Sequence, residues 1–216
     1  MTGITRLLLS AFIAITLPAS FASAKTVRDM GSTARAVMGD SLWQEALAAH
    51  DAHADSITND DYMIVIDYAR PSGEARFFVI DMQEETAKAY LVSHGRNSDK
   101  NNDGIADAFS NVSGSKMTSL GTYVTAETYY GKHGLSLRLD GLEDSNDAAR
   151  ARAIVIHGAD YVNASRAKMG RSWGCPALEQ AVAADLIPKI AEGALIYTRG
   201  PGAEAQQFAQ VDGKAG

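Results

Sequence analysis

Cysteine is almost absent from this chain: among 216 residues there is one, Cys175. A lone thiol excludes an internal disulfide framework, and with scattered histidines it shows no zinc-ligand spacing, so the sulfur is either inertly buried or reactive. Positive charge is in short supply too. Lys and Arg number 20 against 26 Asp and Glu, a formal charge of −6, and no basic stripe is visible, so a nucleic-acid partner is not expected. The 5 prolines and 19 glycines exclude collagenous or Pro/Gly-rich disordered character, and the length suits one or at most two domains. Long hydrophobic runs are missing as well: Leu7–Leu17 would rise only about 16 Å as a helix, too short to span a bilayer.

That short apolar run has the form of an export signal. Arg6 supplies the positive region, Leu7–Leu17 the apolar core and Ala22-Ser23-Ala24 a small-residue cleavage site. The expected organisation is a signal peptide over 1–24, a loosely held leading segment over 25–40, one catalytic-type domain over 41–199 and a disordered tail over 200–216. Export implies a periplasmic or extracellular protein with no stable membrane insertion after cleavage.

Periodicity predicts a mostly-β domain with a few helices. Ser41-Leu42-Trp43-Gln44 has capping-box spacing, followed by a Trp43/Ala46/Leu47 core stripe that predicts an N-terminal helix ending before Asp51. Strand patterns follow at 62–68, 76–81 and 86–93, a meander, and again at 121–125, 136–139, 153–157 and 194–198. Between them lies a long polar excursion, 96–119, of a length usually tied to function or mobility. Helices are predicted at 143–152 and 178–186, the latter broken or restarted by Pro188 and capped by Gly193.

The chemistry-bearing interval runs from His157 to Cys175. His157 ends the apolar run Ala153–His157 just before Gly158, and fourteen residues later the chain reads Ser172-Trp173-Gly174-Cys175-Pro176. A thiol needs a neighbouring base or positive field to react, and histidine is the usual partner. Gly174 permits a tight turn whose backbone N–H groups face a developing oxyanion. By chemistry alone, a buried free cysteine beside a satisfied histidine fits equally well.

The same stretch resembles the L,D-transpeptidase catalytic (YkuD-like) domain, whose signature is His, about 14–17 residues, then Ser/Thr-His-Gly-Cys, an apolar residue and Arg or Asn. Asp67 with Pro71-Ser72, Leu91–Gly95, Phe109-Ser110-Asn111, Ser119–Tyr123, Gly141-Leu142-Glu143, Ile154–Ala159 and Gly170–Pro176 extend the likeness across about 41–198. The resemblance implies a β-sandwich or barrel-like catalytic domain and an exported murein L,D-transpeptidase. Its catalytic set would be Cys175, His157, Gly174 and Ser172, with no metal or cofactor. Its partners would be peptidoglycan stem peptides as donor and acceptor: a thioester forms on Cys175 and an amine resolves it into a cross-link. Two positions depart from the signature: Trp173 replaces a histidine and Ala177 a polar Arg or Asn. Substrate contacts are therefore assigned to Arg171, Trp173, His94, His133 and Gly158. An L,D-carboxypeptidase or other hydrolase on the same scaffold, or a non-catalytic wall-binding module, are the rival readings. Residues 99–107 match the start of a calcium loop, but Ser110 stands where the bidentate Glu is required, and a solvated acidic turn is the competing reading.

Overall fold

β1 (Tyr62–Asp67) is apolar without alternation from Met63 to Ile66 because both of its faces are covered. Ile64 and Ile66 join Phe77 and Val79 of β2 (Phe77–Asp81) in one core, closed by Ala183, Leu186, Ile187 and Ile190 of α3 (Gln180–Ile190). Met63 and Val65, with Phe78 and Ile80, pack in a second core with Met30, Ala34, Met38, Leu42, Trp43 and Ala46. These observations come from a computed structural model that describes residues 25–202; the expected signal peptide and the end of the tail lie outside the described residues.

The remaining strands are β3 (Thr86–Tyr90), β4 (Gly121–Gly131), β5 (Gly134–Gly141), β6 (Val155–Gly158), β7 (Ala177–Leu178) and β8 (Leu195–Arg199). They form one sheet in the order β3-β2-β1-β8-β4-β5-β6-β7. Pairing is antiparallel except for β1 with β8 and β6 with β7. After β3 the chain crosses to the opposite edge: Ser93 N–H donates to Ala177 O at 2.9 Å, and Gly95 bridges Ser172. The sheet is thus nearly closed and barrel-like, as the mostly-β expectation required.

Several local expectations change. The leading segment is not loose: a 3₁₀ turn (Val27–Met30) and α1 (Gly31–Met38) bury Val27, Met30, Ala34 and Met38. α2 (Asp40–Ala52) starts after Gly39, and Ser41 Oγ donates to Glu45 Oε1 instead of closing a capping box. Residues 143–152 form successive turns, not a helix, because the buried Asn146 side chain takes the Glu143 N–H and donates to Thr122 O. Pro188 is accommodated inside α3, whose C-cap is Ala191 rather than Gly193. Among the described residues no helix is long and apolar enough to cross a membrane.

Candidate active site

β6 and β7 set the site. Their parallel register places His157 opposite Ala177 and Gly158 opposite Leu178, so Cys175, two residues ahead of Ala177, lies by the start of β6. The half-buried Cys175 thiol donates to Ala153 O at 3.7 Å. Gly174 makes the approach possible. Its φ of +122° is one that side-chain-bearing residues rarely adopt, and a Cβ there would sit 2.7 Å from Met117 O.

His157 is buried, and its Nδ1 lies 2.9 Å from Gly158 O. A carbonyl can only accept, so Nδ1 carries the proton and Nε2 is left as the basic nitrogen. His133, on the β4–β5 hairpin, stacks on this ring with centroids 4.2 Å apart. Among the described residues the thiol and the imidazole do not hydrogen-bond to each other; each is held by a backbone carbonyl.

The electrostatics favour a neutral resting pair. Burial pushes the Cys175 thiol above its ordinary value, opposed by the Val155 amide and then by the positive charges of Arg152 and Lys132. Burial pushes His157 below its ordinary value, against the Gly158 hydrogen bond; His133 and Lys132 lower it further. Both shifts run toward the uncharged forms, thiol and neutral imidazole.

Ser172 organises the turn. Its hydroxyl donates to Cys175 O at 2.6 Å and accepts the Gly174 N–H at 3.1 Å. The Gly174 N–H is consequently engaged and not free for an oxyanion, contrary to expectation. Gly158 provides the carbonyl that fixes the His157 tautomer, and it is buried against Gln180. Trp173 is 65% exposed, with Lys116 and Lys132 ammoniums 4.7 and 5.6 Å from its ring centroid. Arg171 is anchored through Nη1 to the carbonyls of Arg96 and Asp99.

His94 does not meet its expectation as a substrate contact. It is 1% exposed and lies between Arg76 Nη2, 2.8 Å from its Nδ1, and Asp99 Oδ2, 3.2 Å from its Nε2. A guanidinium can only donate, so Nδ1 accepts and Nε2–H donates to the carboxylate; His94 is a neutral link in a buried chain. Asp99 also accepts the N–H groups of Asp103 and Gly104, and Asp103 accepts that of Ile105. The suspected calcium loop is thus held by its own amides.

Sequence reasoning missed Arg152. Its guanidinium donates to Ser110 O, Ser119 Oγ, Ser115 Oγ and Met117 O, tying the 110–119 loop beneath Gly174, and its charge acts on Cys175. An arginine in a polar stretch carries no sequence signal of such a role; only the tertiary fold brings it under the thiol.

The family described as L,D-transpeptidase catalytic domain matches residues 35–198. Among solved structures, an L,D-transpeptidase from Mycobacterium smegmatis aligns with TM-score 0.40 and 14% identity, covering 65% of this chain and 59% of that one. One from Mycobacterium tuberculosis H37Rv aligns with TM-score 0.43 and 12% identity, covering 64% and 57%. The chain thus spans under two thirds of the length of these structures. No curated protein matches it.

Proposed function

The chain belongs to the L,D-transpeptidase catalytic domain family, and from that premise we propose that it is an exported cysteine acyltransferase acting on peptidoglycan stem peptides through Cys175. The observation that carries this reading is the His157 tautomer: a buried imidazole with Nδ1–H tied to Gly158 O, on the strand beside the only thiol of the chain.

In this mechanism the thiol turns away from Ala153 O and its proton passes to His157 Nε2. The sulfur attacks an amide carbonyl of the donor stem, the C–S bond forms, and the Cys175 N–H stabilises the oxyanion. The C–N bond then breaks, and the departing amine takes the proton back from His157, leaving a thioester. An amine of a second stem resolves it into a cross-link. Because burial favours the thiol and the neutral imidazole, the proton leaves the thiol as the sulfur attacks. Arg152 and Lys132 offset the negative charge that develops. Arg171 and Trp173 are the proposed substrate contacts, and His133 covers the base.

Hydrolysis of the same thioester would make the protein an L,D-carboxypeptidase. Incubation of the purified chain with tetrapeptide muropeptides separates the two: cross-linked dimers are expected, whereas shortened monomers alone would assign the hydrolase. Unchanged muropeptides would leave the wall-binding reading.

A further inference from the structure

The cations of this acidic chain are unevenly distributed. Beside Trp173 lies a cleft of about 300 Å³ lined by Arg96, Asn102, Arg166, Lys168 and Arg171. Among the described residues, none of these four cations pairs with a carboxylate. Their hydrogen bonds go to carbonyls instead: Arg166 to Lys168, Lys168 to Asn102, and Arg171 to Arg96 and Asp99. Carbonyls position the cationic groups without neutralising them. In the neighbouring loop Asp99 and Asp103 are turned onto the loop's own amides, Asp99 to those of Asp103 and Gly104 and Asp103 to that of Ile105. Four uncompensated cations around one concavity, in a chain of formal charge −6, repel one another until an anion enters.

We infer that this cleft is a binding site for the carboxylates of an acidic peptide, which Trp173 guides from the cleft toward Cys175. The inference rests on the acyltransferase reading and extends it to substrate choice. Three guanidiniums suit carboxylates because their planar forks bind the two oxygens together. The cleft also answers a gap left by the motif: Ala177, where the family signature has a polar side chain, is fully buried opposite His157 and has no group to hold a substrate. Selection by charge then occurs beside Trp173, and a donor whose carboxylates are amidated is a poor one.

The test uses the full chain carrying Cys175→Ala, so that binding is measured without turnover. Calorimetry is run with an acidic stem tetrapeptide and with the same peptide amidated at its carboxylates. Amidation is expected to weaken binding roughly tenfold or more. Arg166→Gln/Lys168→Gln should weaken the acidic peptide by a similar factor, leave the amidated one unchanged and keep the parent's melting temperature. Equal affinity for the two peptides, undiminished affinity in the double variant, or no binding of either peptide overturns the inference. So does inorganic phosphate displacing the peptide at lower concentration than acetate, which would reassign the cleft to a phosphorylated ligand. The acyltransferase reading fails separately, when the unsubstituted chain binds the acidic peptide in this charge-dependent way yet forms no thioester with it; the cleft assignment then stands.

Discussion

His133 stacks on His157 with the two ring planes inclined by 20°, so the exposed hairpin between β4 and β5 is the lid over the buried base. The contact has an electrostatic side, because His133 and Lys132 both disfavour a second positive charge on His157. Replacing His133 by Ala should admit water to the ring and raise the His157 pKa toward the ordinary value. The acid limb of the kcat/KM–pH profile should then move to higher pH, with a parallel shift in the His157 NMR titration. An unmoved titration would mean that the stack does not govern the base.

Arg152 acts on the thiol in the opposite sense to burial. Cys175 should be alkylated by iodoacetamide with an apparent pKa above that of an ordinary cysteine. In Arg152→Gln that value should rise further, while Arg152→Lys should restore part of the difference. An alkylation pKa below 7 in the parent protein would show a resting thiolate–imidazolium pair and contradict the neutral dyad.

Ser172→Ala removes the hydroxyl that accepts the Gly174 N–H and donates to Cys175 O. Loss of a buried clip of this kind costs about 1–3 kcal/mol. The turn should loosen, with kcat falling more than KM rises, since the sulfur and its N–H are misplaced. An unchanged kcat would show that the turn holds without the clip.

Acid should destabilise the protein through His94. Burial first, then the Arg76 charge, pushes its pKa below the ordinary 6.5, while Asp99 opposes the shift. A group whose folded pKa is depressed contributes stability that is present above its unfolded pKa and is lost as pH falls through the folded one. The melting temperature should therefore be flat just above pH 6.5 and fall below it. His94→Gln should lower the plateau and flatten that acid slope; an identical slope would assign the acid sensitivity elsewhere.

The leading helix is part of the core, and Met38→Ala should cost about 2–5 kcal/mol, read by denaturant melts. A loss under 1 kcal/mol would return the segment to the loose state that its composition suggested.

How much of this was legible in the sequence depended on whether a local pattern carried it. β1 stood out because a strand covered on both faces is apolar at successive steps, here Met63 to Ile66, and His157 with Cys175 stood out because both lie in one short interval of the chain. The leading helix was missed although Val27, Met30, Ala34 and Met38 recur at helical spacing, because Gly31, Ser32 and Thr33 weaken the local propensity. The 143–152 stretch reads as helical from its Ala and Arg content, but a single buried asparagine takes over the backbone partners that a helix would use. The far half of β4, from Ala126 to Gly131, projects as a half-exposed hairpin without an alternating apolar face, so no period announced it. Arg152 and the inward role of His94 were illegible for a deeper reason: each is defined by what the fold brings to it from distant segments.

The central claim is that Cys175 becomes acylated with His157 as its base, and intact-mass measurement of the chain mixed with a tetrapeptide stem tests it most directly. The account predicts a mass gain equal to the donor stem less the free terminal amino acid it releases, mapped to Cys175, absent in Cys175→Ala and strongly slowed in His157→Gln. A chain that gains no such mass, or gains it equally in Cys175→Ala, would contradict it.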